Sequence, residues 1–124
     1  LRGGKIPNYD AANVKSCEEE LQKSGIAENI MIDCSHGNSK KNHLRQVHVL
    51  DEVAKQIIDG NSSIIGIMLE SNLEEGNQSI PHDLREIRPG VSVTDACISW
   101  ESTEVALRRF AESISRKISE NKKP

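Results

Sequence analysis

An α/β fold is predicted by short apolar runs that alternate with amphipathic helical stretches, and by ionisable side chains standing where those runs end. Alternation of this kind implies parallel strands joined by right-handed crossovers. Two architectures use the unit, an open doubly wound sheet and an eight-stranded barrel. No Gly-x-Gly-x-x-Gly turn and no Gly-Lys-Ser/Thr loop follows any run, which favours the barrel. A complete TIM (β/α)8 barrel needs about 250 residues. A chain of 124 residues with three runs, and the possible tail of a fourth in Leu1-Arg2-Gly3-Gly4, therefore corresponds to roughly half of one.

Each element has its own signal. Residues 10–24 place Val14, Cys17 and Leu21 three and four apart, with Asp10 as the N-cap and Gly25 past the end. The run from Asn29 to His36 is apolar and ends in polar residues, as a buried parallel strand does. Residues 41–59 carry Leu44, Val47, Leu50, Val53, Ala54, Ile57 and Ile58 on one helical face, stopped by Gly60. Ser63 to Glu70 repeats the strand design. Residues 71–90 hold Asn, Gly, Gln, Pro and many charges without period and read as a long loop. Val91 to Cys97 reads as a third strand, followed by a Ser/Thr-rich cap and a final helix striped by Ala106, Phe110, Ile114 and Ile118. Residues 120–124 are expected to fray.

Composition excludes more than it selects. Sixteen Lys and Arg against 19 Asp and Glu give a net charge of −3, and 35% of residues are hydrophobic, the profile of an ordinary globular chain. No apolar run approaches the roughly 20 residues of a membrane span, and no signal-peptide core is present. Cys17, Cys34 and Cys97 are odd in number and form no Cys-x-x-Cys pair, which fits a reducing, cytoplasmic setting. The basic residues of the last helix and tail, Arg108, Arg109, Arg116, Lys117, Lys122 and Lys123, are interleaved with acids and lack aromatics, so they read as a solvated face and not as a nucleic-acid patch. With no initiator Met, residue 1 is expected to be internal to a longer chain.

The chemistry concentrates in His36, Glu70 and Asp95, each expected at the C-terminal end of its strand, where barrels carry their active sites. Tips of neighbouring strands about 4.8 Å apart can converge on one ion. Imidazole with two carboxylates suits a divalent metal ion such as Mn²⁺, Fe²⁺, Co²⁺ or Zn²⁺. Singly, His36 reads as well as a hydrogen-bonded buried histidine, and Glu70 or Asp95 as a capping or solvated acid; three in register favour a site. Cys97 reads as a small buried residue. Arg2, before two glycines that permit close approach of a ligand, can offer bidentate bonds to a carboxylate or phosphate, or is a surface residue at a turn. His43, His48 and His82 lack partners at ligand spacing and read as surface histidines.

Four ordered segments carry a resemblance: Leu1-Arg2-Gly3-Gly4-Lys5 with Pro7-Asn8-Tyr9, then Met31 to Ser39, then Met68 to Gln78, then Thr94 to Trp100. Together they resemble the C-terminal part of type I 3-deoxy-D-arabino-heptulosonate 7-phosphate (DAHP) synthase. The resemblance implies that residues 1–124 are the C-terminal portion of a single barrel domain, incomplete on its own and inactive alone. It implies a metal-dependent, aldol-type condensation of phosphoenolpyruvate with erythrose 4-phosphate that releases phosphate, the first step of the shikimate pathway of aromatic amino acid biosynthesis. It further implies that His36, Glu70 and Asp95 are catalytic and ligate the metal, that Arg2 binds phosphoenolpyruvate, and that the full-length enzyme is a homo-oligomer. The family's fourth metal ligand, a cysteine, and its other Lys and Arg substrate contacts precede Leu1. The alternatives are a related phosphoenolpyruvate-dependent sugar-phosphate synthase, and a catalytically incomplete piece that only completes a partner chain.

Overall fold

The computed structural model describes the backbone of residues 1–120 and the side chains of residues 1–115. Asp10 opens α1 (Ala11–Lys23) because its carboxylate accepts from the backbone amides of Ala12 and Asn13, each at 3.1 Å. Val14 is buried, and Cys17 and Leu21 pack against the same core, as their spacing predicts. The helix closes when Ile26 N–H donates to the Leu21 carbonyl and Gly25 N–H to that of Gln22.

Strands β1 (Ile30–Asp33) and β2 (Ile64–Met68) pair in parallel, with Ile32 opposite Ile67 and Asp33 opposite Met68. The crossover between them is α2 (Gln46–Ile58), entered through one 3-10 turn at His43–Arg45. Gly60, at φ +114°, ends the crossover helix with Asn61 N–H donating back to the Gln56 carbonyl at 3.0 Å. The buried face of α2 is Gln46, Val49, Leu50, Val53 and Ala54. Leu44 and Ile58, expected on that face, are exposed, one in the 3-10 turn and the other on the last helical residue. Ile30, Ile32 and Cys34 meet this face together with Val14 of α1. Full burial of such a side chain contributes about 1.5–3 kcal/mol.

Residues 91–97 do not form the expected third strand. They fold back on residues 74–78 through isolated bridges, Asn77 with Ser92 and Gly76 with Cys97. Ser92 Oγ takes the Thr94 N–H, a local bond that removes a donor from any ladder. The strand begins later, at β4 (Ile98–Ser99), parallel to β3 (Ser71–Asn72), which continues the line of β2 after two residues. On the opposite edge Leu1 donates its amino group to the Met31 carbonyl and accepts from Asp33 N–H, the bonding of one parallel strand residue. The described strands thus form two parallel pairs, β1 with β2 and β3 with β4.

Ser99 opens α3 (Trp100–Glu120), its hydroxyl accepting the Ser102 N–H at 3.1 Å. Ala106 is buried and Phe110 packs on the core, as the stripe predicts. Arg109 bridges to Asp51 of α2 and Arg108 to Glu104, so these cations face acids. Ile118, Arg116, Lys117, Lys122, Lys123 and the expected fraying at 120–124 lie outside the described side chains. Among the described residues no helix is long and apolar enough to cross a membrane. The three cysteines are free.

The α1 cap carries a pH signature. The Asn13 side-chain amide above all, helped by the backbone amides of residues 12 and 13, holds the Asp10 carboxyl below the usual carboxylate range, against a smaller effect of burial. A depressed folded-state pKa stabilises above the unfolded value, about 3.9, and the benefit is lost as pH falls through the folded one. In the complete protein, Asp10→Ala is expected to lower stability by about 1 kcal/mol at pH 7. Urea titrations should show the gap from wild type narrowing as pH falls below about 4; a gap that widens on acidification contradicts the assignment.

Candidate functional site

At the end of β1 the chain turns sharply, and Asp33 organises the turn. Its Oδ1 accepts the Ser35 backbone N–H at 2.8 Å, an Asx-turn, while its Oδ2 accepts from His36 Nδ1 at 2.8 Å. His36 takes a left-handed backbone angle, φ +45°, uncommon outside glycine. Asn38, fully buried, donates to the carbonyls of Leu1 and Asp33 and accepts from Asn8 N–H, tying the turn to the N-terminal segment. Gly3, at φ +74°, lies so close that an added Cβ would stand 2.6 Å from Asn38 N and 2.7 Å from the Gly37 carbonyl carbon. The glycine therefore serves contact between two backbones.

Glu70 follows β2 by two residues. The Gln46 side chain clasps its backbone from both sides, donating to the Glu70 carbonyl at 3.0 Å and accepting from its N–H at 2.7 Å. Ser35 Oγ donates to Glu70 Oε2 at 2.7 Å, leaving Oε1 3.4 Å from His36 Nε2. Asp95 arrives from the loop before β4, with Oδ2 3.7 Å from the same nitrogen and 70% of its side chain exposed. One donor atom from each of His36, Glu70 and Asp95 lies within 4.8 Å of the others. Donors in a tetrahedral shell at about 2.1 Å from a Zn²⁺-like ion stand roughly 3.4 Å apart, close to the observed imidazole-to-Glu70 distance. The donor set, one nitrogen and two carboxylates, fits a divalent cation.

Two sequence expectations change here, those for Asp95 and His43, while Arg2 keeps the exposure of a surface residue at a turn, one of its two readings. Asp95 is not at a strand end; it is delivered by a folded-back loop pinned by Asn77 Nδ2, which donates to the Thr94 carbonyl at 2.9 Å. Arg2 is 70% exposed, with Nε 3.9 Å from Asp33 Oδ2, beside the cluster but outside hydrogen-bond range. His43 is not a surface histidine: its side chain is 20% exposed, lines the same cleft as His36, Glu70 and Asp95, and approaches Glu75 Oε1 at 3.6 Å. His48 and His82 are exposed as expected. Cys97 is half-buried with its thiol toward the Asp95 carbonyl. The Cys34 thiol, buried in the core, is pushed up to about 12 by burial first and by the Asp33 charge second, so it stays protonated and inert.

Sequence reasoning does not mark Asp33, Ser35, Gln46 or His43 as part of the site. Asp33 carries a signal, since Asp two residues before a turn residue is the Asx-turn pattern. Gln46 carries none, because its partner is 24 residues away.

Residues 1–108 match the DAHP synthetase I family. The chain is 54% identical over 115 residues to the Tyr-sensitive phospho-2-dehydro-3-deoxyheptonate aldolase of Salmonella typhimurium, covering 93% of this chain and 32% of that protein. It is 50% identical over 123 residues to the tyrosine-inhibited aldolase of Schizosaccharomyces pombe, covering 92% of this chain and 32% of that one. A solved phospho-2-dehydro-3-deoxyheptonate aldolase from Francisella tularensis superposes with a TM-score of 0.86 at 42% identity, over 93% of this chain and 33% of that chain. The chain spans about a third of the length of the curated relatives it matches.

The glycine contact gives a paired test. Gly3→Ala, forced into a left-handed angle and into backbone atoms, is expected to lower stability by about 1–3 kcal/mol. Gly4→Ala, whose Cβ would meet nothing within 4 Å, should change it by less than about 0.5 kcal/mol. Equal effects in chemical denaturation of the complete protein would contradict the close approach.

Proposed function

The chain belongs to the DAHP synthetase I family, and from that premise we propose that it forms the C-terminal portion of a TIM (β/α)8 barrel and carries the metal-binding rim of a phospho-2-dehydro-3-deoxyheptonate aldolase. The reaction proposed is condensation of phosphoenolpyruvate with erythrose 4-phosphate, with water adding at carbon 2 and phosphate leaving. The observation that carries this reading is the convergence of His36 Nε2 and the Glu70 carboxylate, beyond the carboxyl ends of β1 and β2, with the carboxylate of Asp95 from the loop before β4. Strand segments adjacent in chain order support the barrel.

Each residue has a role that its surroundings suit. His36, Glu70 and Asp95 hold the divalent ion. Ser35 engages Glu70 Oε2 and so turns Oε1 toward the imidazole. Asp95, the most exposed of the three, is the ligand with freedom to close on the ion. A divalent cation held there would supply Lewis-acid polarisation of a substrate carbonyl oxygen. Arg2, held loosely beside Asp33, swings its planar fork onto the phosphate or carboxylate of phosphoenolpyruvate and fixes its approach.

In the complete enzyme, His36→Ala, Glu70→Ala and Asp95→Ala are each expected to abolish metal-dependent loss of phosphoenolpyruvate in the presence of erythrose 4-phosphate. Full turnover with unchanged metal affinity in any of the three contradicts the reading. Loss of a charged hydrogen bond, about 1.5–3 kcal/mol, sets the scale for Arg2→Ala. That variant should raise the KM for phosphoenolpyruvate about 10- to 100-fold and leave that for the sugar phosphate nearly unchanged; the reverse pattern overturns its role.

A further inference from the structure

We propose that Asp33 is the positioning residue that makes His36 a ligand, by keeping the ring hydrogen on Nδ1 so that Nε2 presents its lone pair to the ion. The proposal rests on the metal-site reading above. A carboxylate only accepts hydrogen bonds, so the 2.8 Å contact between Asp33 Oδ2 and His36 Nδ1 requires Nδ1 to donate. In a neutral imidazole the lone pair then falls on Nε2, the nitrogen that faces Glu70 Oε1 and Asp95 Oδ2.

The geometry goes beyond what turn formation needs. The Ser35 N–H bond to Oδ1 alone closes the Asx-turn. That bond also fixes the carboxylate plane, which aims Oδ2 at residue 36. The left-handed backbone of His36 brings its ring back over residue 33, so an unusual φ and the ring contact occur together. Arg2 Nε, at 3.9 Å, is too far to compete for Oδ2. Ser35 completes the pattern by donating its backbone N–H to Asp33 and its hydroxyl to Glu70, so one short segment orients two of the three donors. Carboxylate-to-histidine bonds of this kind orient metal-bound imidazoles and raise their basicity.

Asp33→Asn separates this role from a structural one. The amide oxygen can still accept from Ser35 N–H, but an NH₂ group then faces Nδ1 and favours the tautomer with hydrogen on Nε2, the wrong nitrogen for ligation. In the complete enzyme without metal, nitrogen NMR of wild-type His36 should report the Nδ1–H tautomer; an Nε2–H tautomer overturns the proposal, with no variant required. Titration with Mn²⁺ against a chromophoric chelator should show affinity falling about 10- to 100-fold in Asp33→Asn, with no further fall when that change is added to His36→Ala. An equal fall in the His36→Ala background means that Asp33 acts on the turn and not through the imidazole, which overturns the proposal. Undiminished affinity in Asp33→Asn, where His36→Ala weakens binding, overturns it while leaving the metal site standing. If His36→Ala itself binds Mn²⁺ normally, the metal-site reading fails and the proposal with it.

Discussion

The turn that ends β1 is the constraint on which the rest of the site depends. A parallel strand delivers its last residue to the rim of the sheet, and its ladder places no constraint on the path of the chain beyond that residue. Here Asp33 converts that end into a fixed corner, one oxygen closing the backbone and the other holding the His36 ring. Asn38 then ties the corner to Leu1 and Asn8, and Gly3 lets the two backbones meet. Arg2 is carried to the edge of the cluster by the same packing.

Glu70 is held by a different device. Its backbone groups lie past the last β1–β2 ladder pair, and the fully buried Gln46 satisfies the N–H and the carbonyl together. Since Gln46 is the first residue of α2, the crossover helix that covers β1 and β2 also sets the position of Glu70. Core packing of Val49, Leu50 and Val53 is thereby coupled to the cleft, because displacing the helix would release the clasp. Among the described residues the Asp95 side chain has no comparable anchor, and its position is set by backbone pairing between residues 74–78 and 90–97.

The features legible in the sequence are local ones. Asp10 and Ser99 announce helix starts because a cap bonds to amides two or three residues away, and the stop before Gly60 arises from one residue's backbone freedom. The runs at 30–33 and 64–68 are legible because both are largely apolar, yet neither is buried throughout as expected, since Met31 and Ile65 are exposed. The segment 91–97 misleads because Val91 and Val93 have strand propensity, whereas the local hydroxyl bond and the return to residues 74–78 decide its path. His43 misleads for a related reason, since its neighbour Glu75 lies far along the chain. His36, Glu70 and Asp95 stand out by residue type at run ends, and the structure brings them together even though the third arrives from a loop.

The central claim is that these three side chains share one cation. Anomalous diffraction at the zinc edge from crystals of the complete enzyme soaked in Zn²⁺ tests it most directly. The account predicts one strong peak about 2.0–2.2 Å from His36 Nε2 and from a carboxylate oxygen of each of Glu70 and Asp95. A peak bound elsewhere, or none between these groups at saturating zinc, would contradict it.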